Sequence, residues 1–132
     1  MTAHLPTVDP ESEPFWEATL RSLLLIKRCL DCGGAHFYPR PFCPACWSQQ
    51  VEWEEASGEA TVYAFSVVRR NELPPFDRRV PYVAAVVRLR EGPLMVTNVE
   101  DCDVDSVTID MPVVVAFRSD GDFALPVFRP AL

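Results

Sequence analysis

Four cysteines arranged as two close pairs are the residues of this sequence best suited to chemistry. Cys29 and Cys32 form one Cys-X-X-Cys motif, and Cys43 and Cys46 form the other, with ten residues between the motifs. Each motif supplies two thiolates from one tight turn, which suits the tetrahedral coordination of zinc. The spacing therefore predicts a structural Zn²⁺ site, with iron in a rubredoxin-like site as the alternative. Four thiolates leave no coordination position for a catalytic water.

Other residues near the motifs have more ordinary interpretations. His36 lies between the two pairs, but we expect a loop residue because four cysteines already satisfy the metal. Gly33 follows the first pair and lets the backbone turn beneath the metal, whereas Trp47 stands where the second turn often has a glycine. Cys102 has no partner cysteine, so we expect an inert thiol.

The cellular setting bears on the metal prediction. The N-terminus has no basic region followed by an apolar run, and no apolar stretch of the sequence approaches the length of a bilayer span. We therefore expect a cytoplasmic protein without a membrane span. Thiols stay reduced in the cytosol, which favours metal ligation over disulfides.

The sequence offers little for catalysis by the chain itself. Its two histidines, His4 and His36, belong to no recognisable triad, so a nucleophile would lack an activating base. Short acidic runs are usually solvated faces. We therefore expect no catalytic residues in this chain.

Three segments must position the cysteines and enclose a core. Residues 1–25 are predicted to form a loose arm and an amphipathic helix over 11–25, and residues 26–50 a rubredoxin-like zinc ribbon. Residues 51–132 hold β-branched and aromatic runs separated by turn residues, which predicts a five-stranded OB-fold barrel. The fold class is therefore mainly β. The predicted barrel strands are residues 59–68, 81–90, 93–99, 112–118 and 123–129, preceded by an entering strand at 51–57.

Turn residues indicate how consecutive strands are connected. Glu91-Gly92 suits a tight hairpin between the second and third strands, and residues 119–122 (SDGD) suit another between the last two. Residues 100–111 form a longer link before the fourth strand. This outline fits an OB fold, although spacing alone leaves another small β-barrel open.

The predicted helix carries an apolar stripe. Trp16, Leu20, Leu23 and Leu24 recur at helical spacing, and Phe15 extends their face. The stripe either packs on the chain's own ribbon or barrel, or docks on a partner protein. For the second interpretation, the candidate partner-binding residues are Phe15, Trp16, Leu20 and Leu23.

Several motifs together resemble a known family, the zinc-ribbon/OB-fold proteins that accompany thiolase-superfamily enzymes. The sequence is similar within it to members that support aldolases cleaving steroid side-chain CoA thioesters, some of which are fused to a hydratase-like domain. This chain holds no such domain and is either a separate subunit or an excerpt of a longer protein. The motifs are residues 14–17 (PFWE), 27–29 (KRC), 37–41 (FYPRP), 58–63 (GEATVY), 80–82 (VPY), 92–98, 109–113 (IDMPV) and 126–130 (PVFRP).

The resemblance implies a noncatalytic partner of a thiolase, an acyl-CoA synthase or a thiolase-like aldolase, with acyl-CoA near the interface. The two-fold symmetry usual for such partners favours a two-plus-two hetero-oligomer. The phosphates of CoA need cations, and Arg78 and Arg79 are the candidates. The alternatives are a solvated basic loop, which Glu72 and Asp77 partly neutralise, and an assembly adaptor that never touches CoA.

Nucleic-acid binding is the competing class, because ribbons and OB folds occur in transcription and replication proteins. Nineteen acidic residues against twelve basic ones give a formal charge of −7. That balance opposes attraction to phosphate backbones. We therefore expect no nucleic-acid partner.

Overall fold

The computed structural model describes residues 6–131, so His4 and the first half of the predicted arm lie outside the described residues. One α-helix precedes eight strands, and two 3₁₀ helices interrupt the longer links. The elements are α1 Glu13–Leu20, β1 Leu25–Cys29, β2 Ala35–His36, β3 Val51–Glu55, β4 Glu59–Val68, β5 Tyr82–Leu89, β6 Leu94–Val99, β7 Pro112–Asp120 and β8 Phe123–Pro130, with 3₁₀ helices at Phe76–Arg78 and Val104–Ser106.

Helix α1 is shorter than the prediction of 11–25, because the chain turns sharply after Leu20. Ser22 adopts a left-handed φ of +60°, and the Leu23 N–H donates to the Ala18 carbonyl at 3.0 Å. This is a common way of ending a helix. Leu24 therefore leaves the helical stripe and is buried at the approach to β1.

The cysteines are positioned by a small antiparallel sheet in the order β2-β1-β3. Lys27 pairs with His36 on one side and with Trp53 on the other, while Cys29 at the end of β1 lies opposite Val51. Strand β3, which we predicted as an entering strand of the barrel segment, therefore belongs to the ribbon sheet and not to the barrel. The first metal-binding turn consequently starts from a fixed strand end.

The remaining strands close into a five-stranded barrel in the order β4-β5-β6-β8-β7, which confirms the predicted OB fold. Alternation directs one face of β5 inward, where Val83, Ala85, Val87 and Leu89 are buried. Strands β6 and β8 meet in parallel at a single residue pair, Val99 with Phe128.

Helix, ribbon and barrel share one apolar core. Phe15 from α1 and Ile26 from β1 are buried in the same cluster as Val62 and Phe128 of the barrel. Helix α1 packs chiefly against β8. Because the core is common, the zinc ribbon is held against the barrel by packing as well as by the chain connection. Within residues 6–131, no helix has the length and apolarity that crossing a membrane requires.

Candidate functional site

The two cysteine motifs form matching turns around one point. After each second cysteine the backbone is left-handed, with φ of +78° at Gly33 and +65° at Trp47. The Gly33 N–H donates to the carbonyl of Cys29 at 3.0 Å, and the Trp47 N–H donates to that of Cys43 at 2.8 Å. Trp47 therefore takes the left-handed backbone position that glycine takes in the first turn, although residues with a side chain seldom adopt it.

The four sulfurs have the separations that a tetrahedral zinc site needs. All four Sγ atoms lie within 4.8 Å of one another. Cys29 Sγ is 3.6 Å from Cys46 Sγ, and Cys32 Sγ is 3.7 Å from Cys43 Sγ. Zn–S bonds of about 2.3 Å give S–S separations of about 3.8 Å in a regular tetrahedron, whereas a disulfide needs about 2.0 Å. The residues present therefore fit structural zinc.

Backbone N–H groups prepare the first cysteine of each turn to be a thiolate. The Cys32 N–H donates to Cys29 Sγ at 3.4 Å and is the main cause that lowers the pKa of Cys29 to about 6. The Cys46 N–H lowers the pKa of Cys43 in the same way. The Ser48 N–H also lowers the pKa of Cys46, but the neighbouring sulfurs, Cys29 first, and burial raise it to about 12. A divalent cation would favour ionisation of all four thiols.

His36 lies outside the sulfur cluster, on strand β2 and not in a loop as we expected. It is 7% exposed on β2, and neither ring nitrogen has a hydrogen-bond partner within residues 6–131. Burial, followed by the charges of Lys27 and Arg40, lowers its pKa. Lys27 is itself buried, with its Nζ atom 2.8 Å from Glu11 and 4.3 Å from the centre of the Trp53 ring. His36 is therefore a neutral residue of the ribbon's packed face.

The four candidate partner-binding residues have different surroundings. Phe15 is fully buried in the chain's own core. Trp16 is half-buried and donates from Nε1 to the Tyr38 hydroxyl at 2.8 Å. Leu23 is half-buried beyond the helix end, whereas Leu20 is 62% exposed. A protein can therefore reach Leu20 directly, while Phe15 supports the fold.

The arginines of the loop between β4 and β5 are mostly neutralised. Arg78 is exposed and has no ion pair within residues 6–131, so its charge remains available to an anion. Three ion pairs hold the other arginines: Arg69 with Asp105 at 2.9 Å, Arg70 with Glu72 at 2.6 Å, and Arg79 with Asp120 at 3.1 Å. The last pair ties the loop to the hairpin between β7 and β8.

A cavity of about 380 Å³, here called the loop cavity, lies between this loop and the link that follows β6. Sequence reasoning did not find it, because its walls come from three separate stretches of the chain. The side chains that line it are Phe76, Arg79, Pro81, Tyr82, Asn98, Val99, Glu100, Asp101, Cys102, Val104 and Arg118. The predicted inert thiol, Cys102, is thus partly buried at a cavity wall.

The two cysteine turns, which together offer four thiolates, and the five-stranded barrel define a zinc-ribbon/OB-fold protein. Two family models match consecutive parts of the chain: the rubredoxin-like zinc ribbon domain of ChsH2 matches residues 16–52, and its C-terminal OB-fold domain matches residues 53–118. The chain belongs to this ChsH2 family, which confirms the family resemblance and the predicted structural zinc.

Similar proteins occur in bacteria and archaea. The chain is 37% identical over 128 residues to a "Probable enoyl-CoA hydratase alpha subunit" of Thermomonospora curvata, covering 96% of this chain and 40% of that protein. It is 38% identical over 107 residues to a "DUF35 domain-containing scaffold protein" of Methanocaldococcus jannaschii, covering 77% and 74%. Among solved structures, a chain of "Ltp2-ChsH2(DUF35) aldolase" superposes with a TM-score of 0.84 at 37% identity, covering 96% and 99%.

The relatives differ in length. This chain spans 40% of the Thermomonospora curvata protein and 39% of the "3-oxo-4,17-pregnadiene-20-carboxyl-CoA hydratase alpha subunit" of Mycobacterium tuberculosis, to which it is 30% identical. The matched part is the zinc ribbon and barrel.

Proposed function

We propose that this chain is a non-catalytic accessory subunit of a thiolase-superfamily enzyme, which it stabilises and helps to bind or pass acyl-CoA. The observation that carries the proposal is the superposition on a chain of "Ltp2-ChsH2(DUF35) aldolase", which covers 96% of this chain and 99% of that one with a TM-score of 0.84. The scaffold name of the archaeal relatives supports the same role. An aldolase acting on steroid side-chain CoA thioesters is the proposed partner, since one relative is named for a pregnadiene carboxyl-CoA.

The zinc site supports a structural role for the ribbon. Four thiolates close the coordination sphere, so substrate or water has no route to the metal. The metal holds both turns at the end of β1, and β1 shares its core with α1 and the barrel. Zinc therefore keeps the helix and the barrel in one arrangement for a partner.

The proposed partner surface centres on Leu20. This side chain is 62% exposed and borders a groove of about 330 Å³ lined also by Val8, Trp16 and Phe123. The Trp16 ring packs edge-on against Phe15 at 4.8 Å and Phe123 at 5.5 Å, which fixes the groove wall. The groove is also lined by the carboxylates of Glu13, Glu17 and Asp122, so it combines apolar and acidic groups. An exposed leucine beside such a groove suits a protein contact. Leu23 extends this surface beyond the helix end.

The proposed CoA contact centres on Arg78. Arg78 is exposed and forms no ion pair with the described residues 6–131, whereas Arg79 holds the loop in place through Asp120. Arg78 therefore offers a phosphate a cation without breaking an existing ion pair. Arg79 contributes by keeping this loop against the barrel.

Affinity purification of the tagged chain from its source organism tests the partnership, with mass spectrometry of copurifying proteins and a zinc assay on the same sample. We expect a thiolase-superfamily subunit with about one zinc per chain, as four thiolates require. Leu20→Asp should abolish copurification, while Ile109→Asp should not, because Ile109 is similarly exposed (54%) but lies in the link before β7. Recovery of nucleic acid or polymerase components instead would overturn the proposal.

Kinetics of the recovered complex test the CoA contact. Arg78→Ala should raise the KM for acyl-CoA several-fold while the complex still assembles. Arg129→Ala removes another exposed arginine, on β8, and should leave KM unchanged. Unchanged kinetics in Arg78→Ala would reduce the chain to an assembly adaptor that does not touch CoA.

A further inference from the structure

Strand β6 has no neighbouring strand along most of one of its two edges. Its residues 94–99 pair with β5 throughout, but β6 meets β8 only where Val99 lies opposite Phe128. Pro126 explains why this contact ends so early, because it stands two residues before Phe128 and has no N–H to continue the ladder. Its carbonyl instead accepts the Thr97 hydroxyl at 3.1 Å. From there to the start of β6, no residue of β8 pairs with it.

The hydrogen-bonding pattern shows which residues of β6 face this open edge. The Leu89 N–H donates to the Pro93 carbonyl at 2.9 Å, so every second residue after Pro93 bonds to β5 and the residues between them point away. The Glu100 N–H, which points away from β5 in this alternation, donates to a carbonyl of β8 at 2.7 Å. Leu94 and Val96 therefore direct their N–H and C=O groups to the open edge, where neither has a backbone partner within residues 6–131.

Strand β6 lacks the features that usually protect an open edge. Natural edge strands often carry charged residues, a proline or a bulge that discourages pairing. The sequence of β6, LMVTNV, has no charged residue and no proline, and its register with β5 is unbroken. Val96 is 78% exposed and Leu94 is 41% exposed, so another chain can reach this stretch. An accessible edge of this kind is a template for an added strand.

A groove of about 200 Å³, here called the edge groove, lies between β6 and β8 beside the open edge. Residues 95–98 of β6 form one wall, and residues 125–127 of β8 form the other. Trp16 and Phe37 add aromatic side chains from the helix and the ribbon. Arg118, the charged side chain that lines the groove, is already held in an ion pair. The edge groove therefore favours apolar side chains over ions.

We propose that an extended segment of a partner protein adds to the open edge of β6 as a further strand. Its backbone exchanges hydrogen bonds with the N–H and C=O groups of Leu94 and Val96, and its alternate apolar side chains enter the edge groove. One segment fits better than a second copy of this chain, because a groove of about 200 Å³ between β6 and β8 admits side chains but not a folded domain. The inference does not depend on a thiolase partner, because every group invoked lies on this chain.

Amide exchange of the zinc-loaded chain, followed by NMR, tests the open edge directly. In the free chain, the amides of Leu94 and Val96 should exchange about ten-fold or more faster than those of Met95 and Thr97, which bond to β5. The probe for an added strand is the blocked peptide acetyl-Lys-Thr-Val-Thr-Val-Thr-Lys-amide. At saturation it should slow exchange at Leu94 and Val96 about ten-fold.

Two N-methylated versions of this peptide separate backbone pairing from side-chain binding. One carries N-methyl groups on its threonines and the other on its valines, so each version has one of its two edges blocked. Both keep the side chains and the charge of the parent peptide. Because an added strand pairs through one edge, only one version should slow the exchange.

Variants at a single position of β6 provide the matching test on the protein. Val96→Pro removes an N–H that points to the open edge but no bond to β5, so it should abolish the protection of Leu94 by the peptide. Val96→Thr is the matched control, because it keeps the N–H and a β-branched side chain, and it should behave as the wild type. The N-methylated peptides decide the question if Val96→Pro does not fold.

Four results would overturn the inference. Slow exchange at Leu94 and Val96 in the free monomer would show that the edge is already paired. Exchange that the parent peptide leaves unchanged would show that the edge accepts no strand, and equal protection by both N-methylated peptides would show binding through side chains. Dimerisation of the free chain that slows the same two amides, measured by sedimentation and exchange together, would assign the edge to a second copy.

Discussion

Gly58 joins the ribbon sheet to the barrel, and replacing it with alanine should destabilise the fold markedly. Its φ is +85°, a region that costs a residue with a side chain about 1 to 2 kcal/mol. A Cβ atom there would lie 2.6 Å from Val115 Cγ1, far inside contact distance. The Gly58 carbonyl also accepts from the Val115 N–H at 2.8 Å, so the two backbones cannot separate without losing that bond.

The magnitude of the effect follows from two separate costs. Val115 is β-branched and cannot swing its methyl aside freely, so relief of the contact should add about 1 to 3 kcal/mol. The expected total for Gly58→Ala is therefore about 2 to 5 kcal/mol. Gly33→Ala is the matched control, because Gly33 has a φ of +78° and nothing within 4 Å of a built Cβ. That variant should pay only the backbone cost of about 1 to 2 kcal/mol.

Urea unfolding of the zinc-loaded chain, followed by tryptophan fluorescence, measures both variants. A double-mutant cycle with Val115→Ala isolates the contact, since this change removes the methyl group that a Cβ would strike. We expect a favourable coupling of about 1 to 3 kcal/mol in Gly58→Ala/Val115→Ala. The steric argument would be refuted if the losses in unfolding free energy of Gly58→Ala and Val115→Ala simply added in the double variant. It would also be refuted if Gly58→Ala and Gly33→Ala lost the same unfolding free energy.

Three further outcomes are expected from the metal site, the helix and the surface charge. Cys43→Ser should lose bound zinc and unfold the ribbon, since zinc contributes about 10 to 16 kcal/mol of apparent binding in comparable peptides; zinc retained at one equivalent would contradict this. Phe15→Ala should cost about 3 to 5 kcal/mol, against less than about 0.5 kcal/mol for the exposed Leu20→Ala, measured by urea midpoints. Fluorescence anisotropy with a labelled oligo-dT should show no salt-sensitive binding, as the net charge of −7 implies.

Local patterns were enough to predict the metal site and the barrel strands. The Cys-X-X-Cys spacing selects four ligands because each tight turn by itself brings two sulfurs together. Strand β4 was predicted at its observed bounds, Glu59–Val68, and the hairpin before Phe123 occurs where turn residues required it. The alternation of apolar and polar residues and the preferences of turn residues act over a few positions, so they can be recognised in the sequence alone.

Tertiary structure decided what depends on distant parts of the chain. Helical spacing placed Leu20 and Leu24 on one face, but the left-handed Ser22 ends the helix between them, so one is exposed and the other is buried. The buried Nε atom of Arg118, which has no acceptor within residues 6–131, arises where separate strands and loops meet. Sequence fixes local geometry and ligand type, whereas burial and free hydrogen-bonding capacity arise only when the elements pack.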